Sequence, residues 1–155
     1  MEIEIVQDKK QNLYVYKNEE LLFYSKVKFN WSNRVIAIYN NKDILLLEVK
    51  YKMTFLKTYY KILYQNELIT ENISEITNTR IIFDCDKRLY IKQDYFISLD
   101  GNFSYYYKEI RVFQLKQKNW VSKPKMLLIV NDENLEFLNP VILHILAIRA
   151  GNNYD

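Results

Sequence analysis

The chain has 155 residues, of which about half are hydrophobic, with 14 Tyr and 8 Phe against only 2 Gly and 2 Pro. That length suits one domain, and the glycine shortage excludes much catalytic machinery. A phosphate-binding loop, a dinucleotide fingerprint or a nucleophile elbow each needs closely spaced glycines, whereas Gly101 and Gly151 stand fifty residues apart. One His and one Cys leave no His-rich or Cys-rich metal site, and a net charge of +3 is too small to point to nucleic acid.

Cys85 alone forms no internal disulfide, which fits a cytosolic setting. The opening Met1-Glu2-Ile3-Glu4-Ile5 carries acids where a secretory signal carries cations. The longest apolar stretch is far short of the roughly twenty residues of a spanning helix. The expectation is a cytoplasmic protein, at most peripheral at the inner membrane surface.

In chain order, Leu13 and Val15, then Leu22 and Tyr24, alternate with polar neighbours, and 35–39 and 44–47 are short apolar runs. Leu56, Thr58, Tyr60, Ile62 and Tyr64 keep period two, which places Lys57 and Lys61 on the other face. Further runs follow at 81–83, 89–91, 95–97, 103–107, 110–115 and 126–130. Val, Ile, Tyr and Phe dominate them, the residues that suit a pleated, half-buried surface. Asn, Asp and Lys punctuate, as at Lys17-Asn18-Glu19, Asn40-Asn41-Lys42 and Asp84-Cys85-Asp86, because Asn and Asp tolerate left-handed angles. Asp100-Gly101 is the strongest hairpin signal. Ten to twelve short strands predict a mainly β fold, a closed antiparallel β-barrel or a sandwich, forming a single domain over 1–155.

The C-terminus differs. Asn139-Pro140 reads as N-cap and first helical residue, Gly151 as the residue past the end, and the turn at 135–138 is a possible extension before the proline. Between them Val141 to Ile148 leave no polar stripe apart from His144. A helix apolar all round is buried all round, and about 16 Å of helix over roughly 140–150 fits inside a small barrel. This enclosed helix decides for the barrel.

Leu13-Tyr14-Val15-Tyr16, Leu21 to Lys26, Val35 to Tyr39, Leu45 to Lys50, Tyr59 to Leu63, Met126 to Asp132 and the apolar helix after them together resemble, in order and pattern, the tubby-like C-terminal domain superfamily. The likeness is to its LURP-one-related and phospholipid-scramblase-like branches. It implies a twelve-stranded barrel threaded by its last helix, and a lipid-facing or scaffold role. The family's Lys-x-Arg headgroup motif and the scramblase cysteine-rich segment have no counterpart here, so no family site residue is carried over.

Charge supplies the candidate site. Residues 26–61 hold Lys26, Lys28, Arg34, Lys42, Lys50, Lys52, Lys57 and Lys61 against Asp43 and Glu48, a local +6. Residues 111–125 hold Arg111, Lys116, Lys118, Lys123 and Lys125 with no acid, a local +5. Together, all but Lys42 form the candidate surface for an anionic partner, chiefly membrane lipid headgroups, with Trp31 and Trp120 as interfacial anchors. The bland alternative is a set of solvated strand faces and protected edges. His144 reads as a hydrogen-bonded core residue and Cys85 as part of a turn. Asp84, Asp86, Asp94 and Asp100 lack calcium-loop spacing, and Tyr105 to Tyr107 read as half core, half surface. The expectation is a module without catalytic residues, metal or cofactor. The alternative is a protein-interaction module, for instance a partner or inhibitor of a toxin or secretion component.

Overall fold

A computed structural model describes residues 1–94, 102–118 and 125–152. The strands run β1 (Glu2–Gln7), β2 (Leu13–Lys17), β3 (Glu20–Asn30), β4 (Asn33–Asn40), β5 (Leu45–Met53), β6 (Thr58–Gln65), β7 (Ile73–Ile76), β8 (Arg80–Phe83), β9 (Arg88–Gln93), β10 (Phe103–Tyr107), β11 (Ile110–Lys118) and β12 (Lys125–Val130). A 3₁₀ turn, Asp132–Phe137, leads into α1 (Leu138–Arg149). The run at 95–97, the Asp100-Gly101 hairpin, Trp120 and Lys123 lie outside the described residues.

All pairings are antiparallel, in the order β6-β5-β4-β3-β2-β1-β12-β11-β10-β9-β8-β7. The chain is two six-strand meanders joined by one ladder, in which the first strand pairs with the last at Ile3↔Leu128 and Ile5↔Met126. The end strands β6 and β7 come side by side, which nearly closes the barrel. Side chains stitch that seam. The Gln65 amide donates to Ile73 O at 3.1 Å and accepts from Ile73 N at 2.8 Å, as a strand residue would. Tyr60 Oη donates to Asn78 Oδ1 at 2.8 Å, and Asn78 Nδ2 donates to Thr58 Oγ1 at 3.3 Å.

The core is the barrel interior. Inward positions such as Ile3, Ile5, Leu13, Val15, Ile36, Ile38, Leu47 and Val49 are fully buried, and they surround α1, whose residues Pro140 to Ile148 are all buried. The helix apolar all round is thus enclosed all round. It begins two residues earlier than its proline suggests. Phe137 is the N-cap and Pro140 the third helical residue, still within the first turn, where no N–H is needed. Asn131 caps the 3₁₀ turn instead, accepting from Glu133 N at 3.4 Å. Gly151 ends the helix with φ +80°. Its amide donates to Gln11 O, and an added Cβ would lie 2.9 Å from Arg34 Cδ.

Two expectations of detail change. β1 and β7 join the strands that the pattern reading names. In β6 a bulge opposite Glu48/Val49 breaks period two, pairing Ile62 with Val49 but Tyr64 with Glu48. Tyr64 therefore turns outward rather than following Ile62 into the core.

Candidate functional site

The outward face of β3 to β6 carries the first basic block. Cross-strand partners run Lys28↔Val35, Val35↔Lys50 and Lys50↔Lys61, a row of three lysines and one valine across four adjacent strands. Lys52, two residues along β5, stands opposite Tyr59, and Lys26 lies two residues back along β3. Facing side chains in such a ladder are about 5 Å apart, and like charges there destabilise the pair. None of Lys26, Lys28, Lys50, Lys52, Lys57 and Lys61 forms an ion pair among the described residues. Edge protection accounts at most for Lys61 on the end strand β6, because β3 and β5, which carry Lys26, Lys28, Lys50 and Lys52, are internal strands. Lys26 also lies 5.8 and 5.3 Å over the rings of Tyr24 and Tyr39, part of an outer stack with Tyr14. At its foot Asp43 accepts from Tyr24 Oη at 2.6 Å, which pushes that phenol up to about 12.

Arg34 departs from its block. Its strand alternates with Ile36 and Ile38 inward, and Arg34 follows them into the barrel mouth, only 9% exposed. Its guanidinium packs 4.1 Å from the Tyr51 ring centre, Nη1 donates to Gly151 O at 3.2 Å, and Nε has no partner. It thus covers a helix C-terminal carbonyl end, where a cation is favoured. Together with Arg149, stacked 4.0 Å over Phe103, it lines a pocket of about 340 Å³ that also includes Tyr60 and Asn78.

The second block does not join the first. β5 is second and β11 eighth in the twelve-strand order, so they lie on opposite walls. Lys116 and Arg111 are on β11, and Lys125 on β12 is held by Glu4 at 2.6 Å. Lys118 is the last residue of β11.

Two hairpin tips stand at the end of the barrel where α1 finishes. The β3–β4 tip presents Trp31, 99% exposed, and the β5–β6 tip presents Phe55 and Leu56, 101% and 84% exposed. Asn33↔Lys52 pairing puts the two tips side by side. The alternation read at 56–64 placed Leu56 in a strand face; instead it belongs to the turn, and Lys57 with it.

Antiparallel connections also sort charge by end. At the end where α1 begins stand Glu19 between β2 and β3, Asp43 between β4 and β5, and Glu67 and Glu71 after β6. Asp84 and Asp86, between β8 and β9, and Asp132, Glu133 and Glu136, before α1, share that end. Lys17, Lys42, Lys87 and Lys108 offset them in part. The opposite end carries Lys9 and Lys10 in the β1–β2 turn, Lys28 and Lys52 near the tips, Lys57 on one, and the arginine-lined mouth. Asp8 and Asp94 are the described acids in its turns, and both are engaged in local hydrogen bonds.

The remaining candidates are structural. His144 is fully buried: Nε2 lies 2.7 Å from Thr77 O, and Nδ1 lies 2.9 Å from Tyr105 Oη. A carbonyl only accepts, so Nε2 carries the proton and Nδ1 accepts from the tyrosine. Desolvation pushes the imidazole down to about 4. Cys85 is an exposed thiol in the β8–β9 turn, and Asp94 grips Ser104 Oγ and Gln114 Nε2. Tyr105 is core, while Tyr106 and Tyr107 are half-buried. Among the described residues no three His, Cys, Asp or Glu gather as metal ligands, and no helix is long and apolar enough to cross a membrane.

No family model, curated protein or solved structure matches the chain.

Proposed function

We propose that the protein is a non-catalytic module that docks on anionic membrane surfaces through the outer wall of β3 to β6. The observation that carries it is the lysine row, Lys28, Lys50 and Lys61, flanked by Lys26, Lys52 and Lys57, which forms no ion pair among the described residues although Glu48 shares its face. Each cation held near an anionic leaflet contributes about 1 kcal/mol, so six contribute several, falling steeply with salt. The twelve-strand barrel with its threaded helix also supports a tubby-like relationship and, with it, a lipid-facing role. Lys116, Lys118 and Lys125 lie on the far wall and take no part in this contact, and Arg34 serves the mouth instead. We place the module in the cytoplasm, peripheral to the inner membrane surface.

The test is sedimentation with vesicles containing about 30% phosphatidylserine. The chain is expected to bind at low salt and to be released progressively as salt rises. Changing Lys50, Lys52, Lys57 and Lys61 together to Glu is expected to abolish binding, whereas Lys116→Glu leaves it unchanged. Unaltered binding by the quadruple variant, or none by the wild type, refutes the reading. In the latter case the lysine wall would be left to an acidic protein partner.

A further inference from the structure

The lysine row accounts for charge but not for three large apolar side chains held in water beside it. Trp31 and Phe55 expose essentially their whole surface and Leu56 most of it. They belong to two neighbouring tips, not to a scatter of single residues of the kind that ordinary surfaces carry. Trp31 also adopts φ +56°, a left-handed conformation unfavourable for a bulky side chain. It therefore gains neither burial nor backbone ease where it stands. Met53 and Tyr59, which flank the β5–β6 tip, are also both more than half exposed.

The surroundings identify what covers these tips. Lys57 lies on one of them, and Lys28 and Lys52 follow within a few residues. Among the described residues this barrel end is basic on balance and the opposite end acidic, so an anionic surface attracts this end and repels the other. An apolar tip rimmed by lysines matches a bilayer's layered chemistry, with an apolar interior beneath anionic headgroups. Tryptophan is at home at that boundary. Lysine stems snorkel there, keeping their charge among the headgroups. Charge alone gives a marginal, salt-labile attachment, and durable attachment takes a second, apolar signal.

We propose that the protein inserts Trp31, Phe55 and Leu56 into the interfacial layer of anionic bilayers, with the barrel tilted so that these tips enter the lipid while the lysine wall of β3 to β6 leans on the headgroups. This rests on the docking reading above and adds a depth and an orientation to it. The arginine-lined pocket then opens toward the headgroups, and α1 points its C-terminus at the membrane.

The experiment uses the full chain with Trp120→Phe, so that Trp31 is the sole indole emitter, and vesicles of phosphatidylserine and phosphatidylcholine. On binding, Trp31 emission is expected to shift to the blue and to be quenched by lipids brominated near the top of the acyl chains. A triple variant, Trp31→Ser, Phe55→Ser and Leu56→Ser, is expected to keep its low-salt binding but to lose at least tenfold in affinity at about 0.5 M salt, where charge is screened. An unshifted Trp31 in a chain that does bind overturns insertion and leaves the lysine reading standing. So does a triple variant indistinguishable from wild type. Absence of all vesicle binding overturns both. Self-association that the triple variant abolishes would assign the tips to a second copy of the chain instead and overturn insertion.

Discussion

His144 is the one polar side chain on α1 inside the barrel, and it is matched on both ring nitrogens by Thr77 and Tyr105. Those bonds lock one helix turn to the β7–β8 turn and to β10, which sets the helix's axial position. The unfolded chain takes up a proton at this residue near pH 6.5, the native state only near 4. The native state therefore loses nothing above 6.5. It is weakened as pH falls through that window, by up to about 1.4 kcal/mol per pH unit and on the order of 3 kcal/mol in total. Urea denaturation at pH 7, 5.5 and 4.5 is expected to show this slope in wild type. In His144→Leu the slope should be shallower by that amount, because no imidazole remains to titrate. The same variant is expected to be less stable at pH 7 by roughly 2 kcal/mol or more, since Thr77 O and Tyr105 Oη lose their partner. That a lone histidine among aliphatics is a satisfied core residue was legible in the sequence. Its partners, 39 and 67 residues away, were not, because no local pattern encodes them.

Among the elements, α1 was the most legible, since a helix with no polar face has only one place to go. Its termini were less so. Pro140 at the third position satisfies the same donor-free condition as at the first, so sequence alone does not distinguish them. Gly151 was placed correctly for a stronger reason, its positive φ, and the structure adds a second, the approach of Arg34. Gly151→Ala combines left-handed strain with that clash. It is expected to cost about 1–3 kcal/mol, a fall of several degrees in Tm by differential scanning calorimetry. The strands show the limit of pattern reading. β7 has only four residues, too few for a period to emerge. β1 does alternate Glu with Ile, but over only six residues at the start of the sequence. Arg34 carried a usable signal, its parity with Ile36 and Ile38. The lysine row carried none, because register between strands is not local. That row sets stability against function. Lys61→Glu places opposite charges across from Lys50, so it is expected to stabilise the barrel by roughly 0.2–1 kcal/mol. The same change should weaken vesicle binding by about tenfold or more. Chemical denaturation and sedimentation of the one variant read both signs, and a change of the same sign in both would contradict the account.

At the scale of the molecule, the net charge of +3 conceals a basic end and an acidic end among the described residues. Neither the ends nor the separation of the two basic blocks could be read before the strand order was known. The order itself has a further consequence. Among the described residues the backbone ladders lie within one open run from β6 to β7, and the connection between those two strands, 66–72, crosses a junction held by side chains. Cutting the peptide bond between Glu67 and Leu68, both exposed, therefore severs no ladder. Two separately expressed pieces, one ending at Glu67 and the other beginning at Leu68, should reassemble on mixing, driven by the β1–β12 ladder and by α1 seeking its enclosure. Conversely, the intact chain cannot complete its barrel until β12 and α1 have left the ribosome, because its first strand waits for its last. The barrel should consequently close only once β12 and α1 are available, with the first meander exposing an unfilled interior until then.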